Sequence, residues 1–461
     1  MPENNWLRFT VAIDSIRPSR AGYGKPLLVS AESEIPEVYQ DVSELSEIED
    51  WGVSTNDPLY AAASSLITQD GSRPPVIGVG ARTAAVAQVD TVTVTGSANG
   101  SYIHTIVDHD SNSTPFTFVA SSNTNTQIRD GLIALVDASS RYAAVSTGSG
   151  TYTVTASVAG ASFTSTYSVS GGPSEGALAG TTTTDNNGAA DDLAAIRSVN
   201  TSWYGITLTD HVDHSIYEGS RWAEAQGVSD PVMLFGQSNT AGIITSGTTD
   251  VAAVLNSLGR RRTAVIYHAL DTQYVDAAIQ GRCLTADPGT INWAWRTLNG
   301  ITSNTLTSAQ VSYLKYYNQG GSNGKAANYV EQFGGRPTFF DGRTASSIYI
   351  ELIRGADKLR TEVLASLVNL YQTNDSIPFD EEGIELTANA MQAPAVRLSG
   401  RRGEPGLVDR DSIRVTRPDL ANVNETERAN SFLSGVRLSA TIKGNINEVS
   451  GSGTLSVSIT T

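Results

Sequence analysis

Residues 190–210 read ADDLAAIRSVNTSWYGITLTD, and their reading decides the fold. Up to Val199 the apolar residues recur at helical spacing; from Trp203 to Thr209 (WYGITLT) they form a short run of strand length. The same alternation continues downstream. Helical spacing over 216–226, 251–258 and 275–284 separates strand-like runs at 232–235 and 263–267 (TAVIY). It is also found upstream, where 27–30 (LLVS) and 75–80 (PVIGVG) flank a helical stretch at 57–68, with Asp57 placed as N-cap and Pro58 at the first helical position. Alternation of this kind predicts a mainly parallel sheet covered by helices.

Between these two stretches the texture changes. Residues 84–177 are rich in Ser, Thr and Gly. Five segments alternate as strands: 91–95 (TVTVT), 101–107, 116–120, 151–157 and 162–169, with one helical insert at 127–138. This block reads as a β-rich insertion, and the Gly- and Thr-rich stretch 171–188 reads as its exit linker. The α/β core is therefore expected over 22–83 and 178–345. A long helical stretch at 346–371, a second helix from about 379 to Met391, and strands near 412–416 and 436–442 predict a C-terminal α+β domain over 346–443. The fold class is α/β (α+β overall): a mixed, mainly parallel sheet core interrupted by a β-rich insertion, with a C-terminal α+β domain.

Both chain ends look like strands without a nearby partner. Residues 6–13 (WLRFTVAI) precede a breaker-rich segment, giving an N-terminal arm over 1–21. A Gly/Ser spacer at 444–453 precedes 454–461 (TLSVSITT), giving a C-terminal arm over 444–461. A tethered strand satisfies its backbone by joining a sheet elsewhere, and adding to neighbouring copies is the economical way for two such ends to do so.

The 461 residues carry a net charge of −16, which argues against general nucleic-acid binding. Residues 83–188 contain no lysine and only Arg129 and Arg141, as an exterior decoration would, whereas residues 397–437 hold eight arginines among carboxylates. The single cysteine, Cys283, allows no internal disulfide. No apolar run is long enough to span a bilayer, and no apolar leader stands near Met1, so a soluble chain without membrane insertion is expected.

Motifs for chemistry fall short on context. Residues 320–324 (GGSNG) match G-x-S-x-G, but a helix precedes and a strand follows, the reverse of a nucleophile elbow. Residues 22–26 (GYGKP) put Pro26 where a phosphate loop needs Ser or Thr, and 78–83 (GVGART) leads into a strand pattern instead of a helix. Asp108, Asp110 and Asn112 begin like a calcium loop, but Ser113 and Val119 replace its glycine and glutamate. The best metal or catalytic candidate is DHVDH at 210–214, where His211 and His214 follow a strand; no third ligand is evident, and a polar helix start explains it as well. No enzyme, catalytic residue, metal or cofactor is expected. The rival readings are an α/β hydrolase-like or nucleotide-binding enzyme with a β insertion, or a monomeric surface-binding protein using its β domain.

Several pieces, in this order and spacing, resemble the contractile tail sheath proteins of bacteriophages, of the myovirus type. They are 19–29 (SRAGYGKPLLV), 52–63 (GVSTNDPLYAAA), 73–80 (RPPVIGVG), 190–210, and 349–370 followed by 377–384 (IPFDEEGI). The resemblance spans nearly the whole chain and is least diagnostic in the insertion. It implies a structural subunit that stacks with copies of itself as six-fold rings around a tail tube and contracts to drive the tube through the host envelope. Its implied partners are the tube, baseplate and tail terminator proteins, and its implied location is the virion, after assembly in the host cytoplasm. It further implies that arm residues Leu7, Phe9, Val11, Ile13, Leu455, Val457 and Ile459 join neighbouring copies beside a host strand bearing Val436, Leu438 and Ile442. By the same resemblance Arg354, Lys358 and Arg360 are candidates to face the tube.

Overall fold

The computed structural model describes residues 23–71, 73–96, 99–171, 176–227, 230–288, 290–316, 324–400 and 406–445. The arm residues Leu7, Phe9, Val11, Ile13, Leu455, Val457 and Ile459, most of the 444–453 spacer and most of the GGSNG segment lie outside the described residues. The chain forms two compact units. One holds Ser19–Thr285 and Thr297–Ile348; the other holds Ala286–Arg296 and the chain from Tyr349 onward. The segment Ala286–Arg296 thus belongs with the C-terminal residues, although in sequence it falls within the stretch read as α/β core.

Nine strands build the large sheet: β1 (Pro26–Ser30), β2 (Tyr39–Val42), β3 (Ile77–Ala81), β4 (Gly205–Leu208), β5 (Met233–Ser238), β6 (Thr263–Tyr267), β7 (Asn328–Phe333) and β8 (Arg336–Phe340), with the two-residue strand Arg296–Thr297 beyond β8 at the edge. Their spatial order is β8-β7-β6-β5-β4-β1-β3-β2. The inner pairs are parallel, with Pro26 opposite Gly205 and Leu27 opposite Gly78, while the pairs β7/β8 and β2/β3 are antiparallel. This is the mainly parallel mixed sheet expected from the alternation. Successive residues of β1 point to opposite faces, and both faces are covered. Leu27 and Val29 join a core with α2 (Ala189–Val199) and α3 (Asp213–Gln226). Leu28 joins one with α1 (Pro58–Ile67) and with Tyr274 and Ala277 at the start of α4 (Val275–Cys283). Helices α1 and α4 approach so closely that a Cβ on Gly281 would lie 1.9 Å from the Leu66 carbonyl oxygen, so only glycine fits there.

The insertion enters after β3 and leaves into α2. Its strands form a four-stranded sheet, in the order Ala177–Thr184, Val89–Thr95, Thr151–Ala156, Tyr142–Ser146, and a three-stranded sheet, in the order Ser113–Ala120, Gly100–Asp108, Phe163–Ser170. Strict alternation puts Val92 and Val94, Tyr102 and Ile106, and Tyr152 and Val154 into one core, which the helix Asn125–Asp137 completes with Ile128, Leu132 and Val136. A capping box between Thr124 and Gln127 starts that helix. The stretch read as an exit linker contains a strand. Ala177–Thr184 pairs antiparallel with Val89–Thr95, Ala177 opposite Thr95 and Thr181 opposite Thr91. Its threonines favour the pleated surface, and Gly180 marks where the Tyr167 hydroxyl approaches the backbone, 2.3 Å from a hypothetical Cβ.

In the second unit, α5 (Ile350–Thr373) packs on α6 (Glu381–Leu398). Asp380 caps α6 by accepting a hydrogen bond from the Gly383 amide at 2.9 Å. The sequence reading ends this helix at Met391, yet it continues through Pro394. The buried Pro394 and Ala395, and Leu398 beside them, lie against the core, and that burial offsets the hydrogen bond which proline removes.

Candidate functional site

The second unit ends in a small ribbon. Arg414–Thr416 pairs antiparallel with Arg437–Ser439, Val415 opposite Leu438. Pairing continues past the strand through the Val408–Ile442 bridge, with the Asp409 amide donating to Thr441 and the Lys443 amide to Leu407, both at 2.8 Å. The period of two is clean. Leu438 and Ala440 are buried, and Val436 and Ile442 pack on the same cluster, with Leu359, Val363 and Leu367 of α5 and Met391 of α6. Arg437, Thr441 and Lys443 point the other way and are exposed. Among the described residues, each strand of the ribbon has a partner along one edge only. Two strands alone are marginal in water, and an unpaired edge is a template for another chain.

Arg354, Lys358 and Arg360 all lie on α5. Arg354 is 1% exposed; its guanidinium sits over the Trp293 ring, 5.4 Å from the centroid, and donates to the Ala286 carbonyl at 3.4 Å. Lys358 pairs with the exposed Asp287 at 2.9 Å, and Arg360 is half-buried. Two of these cations therefore hold the Ala286–Arg296 segment in place.

The other polar concentration lies where strand order reverses, outside the carboxyl ends of β1 and β4, the usual ligand position in an open α/β sheet. Here the Ser30 and Thr209 hydroxyls share a hydrogen bond of 2.5 Å. Arg82, just past β3, donates its Nε to Asp192 at 3.0 Å and an Nη to Asp210, while Asp192 also accepts from the Thr83 amide at 3.0 Å and hydroxyl at 2.9 Å. Arg82 and Thr83, the end of the GVGART stretch, thus close a salt bridge across the two ends of the insertion. Asp108 and Asp110, the start of the calcium-like loop, both accept from Arg141.

The two histidines of DHVDH diverge. His211, with φ of 51° in the left-handed region, turns inward. Its Nδ1 lies 2.9 Å from the Asp271 carbonyl oxygen and its Nε2 lies 3.6 Å from the fully buried Asp276. Burial alone depresses this imidazole, but the Asp276 carboxylate, the Asp271 carbonyl and Asp210 together lift it above its ordinary value. A raised histidine contributes stability that is fully present below about pH 6.5 and is lost as pH rises through the lifted value. We expect Asp276→Asn to cost about 3–5 kcal/mol, as for one partner of a buried pair, and to flatten the melting temperature measured between pH 6 and 9. An unchanged alkaline decline would assign it to other groups. His214 instead faces the insertion, where His109 stands with its ring centroid 6.3 Å away. Sequence reasoning missed that partner, since 105 positions separate the two and no spacing rule links them. Among the described residues, no three His, Cys, Asp or Glu side chains are arranged to hold a metal ion, and no helix is long and apolar enough to cross a membrane.

These features define a mixed α/β protein with a β-rich insertion and an open-edged C-terminal unit. No family model and no curated protein matches the sequence. Among solved structures, the chain is similar to the helical sheath of the anti-feeding prophage in its contracted state, at 11% identity and a TM-score of 0.51, over 97% of this chain and 98% of that one. A sheath tail protein from Listeria innocua aligns over 86% of this chain and 89% of its own, at 11% identity and a TM-score of 0.45. A chain of the anti-feeding prophage baseplate aligns over 59% and 74%, at 14% identity and a TM-score of 0.42. By the first of these likenesses, which runs nearly end to end on both chains, the protein has the fold of a contractile tail sheath subunit.

Proposed function

We propose that this chain is the structural subunit of a contractile tail sheath. It polymerises as a helical stack of six-fold rings around a tail tube, and contraction of the stack drives the tube through the host envelope. The observation that carries the reading is the nearly complete likeness to a contracted sheath. The 414–416 and 437–439 strands, each with a partner along one edge only among the described residues, support it, because a polymer that changes length needs joints that stay bonded while rigid bodies repack. The arms bearing Leu7, Phe9, Val11, Ile13, Leu455, Val457 and Ile459 are proposed to add strands beside Val436, Leu438 and Ile442 of neighbouring copies. Lys358 and Arg360 are proposed to face the tube, with Arg354 holding the Trp293 loop beneath them. Further partners are the baseplate and tail terminator proteins, and the location is the virion. A non-enzymatic role agrees with the polar groups at the strand ends, which are consumed in pairing with one another.

The test is co-sedimentation: the purified chain, mixed with tail tubes, is expected to pellet with them as an ordered polymer. A chain that stays in the supernatant with tubes and baseplates present would contradict the proposal. The domain reading adds a second expected outcome. The insertion is proposed to lie on the outer surface, and its two ends meet at the Thr83–Asp192 hydrogen bond. Replacing residues 84–187 by a short Gly/Ser linker should therefore leave polymerisation intact. A folded monomer that no longer polymerises would place the insertion at a subunit contact.

A further inference from the structure

The charges of the chain are sorted by sign. Residues 31–57 hold nine Asp and Glu and no Lys or Arg. They follow β1 and run through the edge strand β2 and the short helix Leu45–Asp50. Ile35, Val42, Ile48 and Val53 turn into one core, which fixes these pieces against one another. Glu34, Glu37, Asp41, Glu44, Glu49 and Asp50 are left exposed around it. Lys25 pairs with Asp41, and Arg73 donates to the Ser43 carbonyl at 2.6 Å; among the described residues no other cation pairs with this group.

The ribbon of the second unit presents the opposite sign. Its inner face is apolar, while Arg414 and Arg437, with Lys443 further along the same strand direction, lie exposed on the outward face. Arg414 stands opposite Ser439 and Arg437 opposite Thr416, so the two guanidinium groups are diagonal neighbours on one face. Residues 414–416 and 437–443 contain no carboxylate to neutralise them. Arg417, just beyond the strand, is paired with Glu385, but among the described residues Arg414, Arg437 and Lys443 form no ion pair.

We propose that the outward face of the ribbon on one copy docks on the acidic face of residues 31–57 on a second copy. The inference deepens the sheath reading and rests on it. Two acidic faces repel each other, and so do two cationic ones, so neither patch supports a contact with its own like. The attraction is between unlike patches, and such a head-to-tail contact generates rings or helical filaments instead of closed dimers. With a net charge of −16, copies repel one another at a distance, and a cationic face gives their approach one favourable orientation. The side chains project from the face of the ribbon, so its backbone edges stay open to strand addition. Exposed ion pairs contribute little each, so several act together and the contact can be released when subunits repack.

The test is charge exchange in the full-length chain, with tail tubes as nuclei and sedimentation reading the protein concentration at which polymer appears. One variant reverses the ribbon (R414E, R437E and K443E), a second reverses the acidic face (E34K, E37K and D50K), and a third carries all of these changes. Every one of these positions is exposed, and a native circular dichroism spectrum checks each fold. Either half-reversed chain is expected to need about tenfold more protein or beyond, because attractive pairs become repulsive ones. The fully reversed chain, and an equal mixture of the two half-reversed chains, should recover most of wild-type assembly, since each again offers unlike faces to its neighbours. Wild-type assembly by a half-reversed chain would overturn the docking. So would a ribbon reversal that neither the third variant nor the mixture rescues, which would assign that face to the tube. If the wild-type chain built no polymer under these conditions, the sheath reading would fall first and the docking with it.

Discussion

Removing residues 1–17 or residues 451–461 is expected to abolish self-assembly and leave a folded monomer. Among the described residues, the hydrophobic clusters draw on residues between Leu27 and Ile442, so neither deletion removes a residue of these cores. What the deletions remove is the proposed strand addition. An arm the length of residues 7–13 contributes roughly six main-chain hydrogen bonds, each worth about 1 kcal/mol net, besides one apolar face. Losing about 6 kcal/mol weakens each proposed junction by about four orders of magnitude. Sedimentation velocity would then show a single slow species with an unchanged circular dichroism spectrum. Polymer of normal length from either shortened chain would remove the arms from the assembly mechanism.

Within one chain, a loss as large as any is expected at Asp192. This carboxylate, 3% exposed, receives the Arg82 guanidinium and both the amide and hydroxyl of Thr83. Asp192→Ala leaves Arg82 buried with only Asp210 and Ser215 to answer it, and orphans the Thr83 amide. Breaking a buried pair from one side costs about 3–5 kcal/mol, which urea unfolding would read as a lowered midpoint at constant slope. Asp192→Asn keeps an acceptor for Thr83 and is expected to cost less. Glu385→Ala, in the exposed pair with Arg417, is expected to cost under about 1 kcal/mol. The Asp192 pair also ties together the two ends of the insertion, since Thr83 is the last residue before it and Asp192 lies in the first turn of α2 after it. A midpoint shift as small as that of Glu385→Ala would show that this joint is not a structural lock.

The sheet was legible because its strands are short apolar runs separated by helices of regular period. The apolar run at 263–267 predicts the strand that β6 is, and Asp57–Pro58 marks the start of α1. Strands that lack such a run escaped. Tyr39–Val42 (YQDV) is an edge strand of the large sheet, Arg336–Phe340 (RPTFF) stands one place in from its other edge, and Tyr142–Ser146 is an edge strand of the insertion. Edge strands bury only part of their surface, and their composition carries less signal. Ala177–Thr184 was hidden because glycine and four threonines in a row read as a linker until a partner strand is supplied.

The polar groups were less legible than the fold, for a different reason. Arg354, with Glu351 and Asp357 three residues to either side, reads as the wet side of a helix, yet all three are buried. The aromatic that covers the guanidinium, Trp293, comes from a segment about sixty residues earlier, and helical periodicity carries no record of it. Likewise Arg82 and Asp210 meet because β3 and β4 flank β1, Asp192 joins them from α2, and His109 meets His214 because the insertion packs on the first turn of α3. Period and propensity are local quantities, whereas these contacts are set by topology. The same limit hides the inter-subunit surfaces, which no single chain contains.

Whether this chain builds a sheath is decided by electron microscopy of the purified full-length protein, alone and in the presence of tail tubes and baseplates. Hollow helical tubes are expected, with six-fold symmetry in end-on views and strand density bridging successive rings beside residues 437–439. Isolated single-chain particles under both conditions would contradict a sheath.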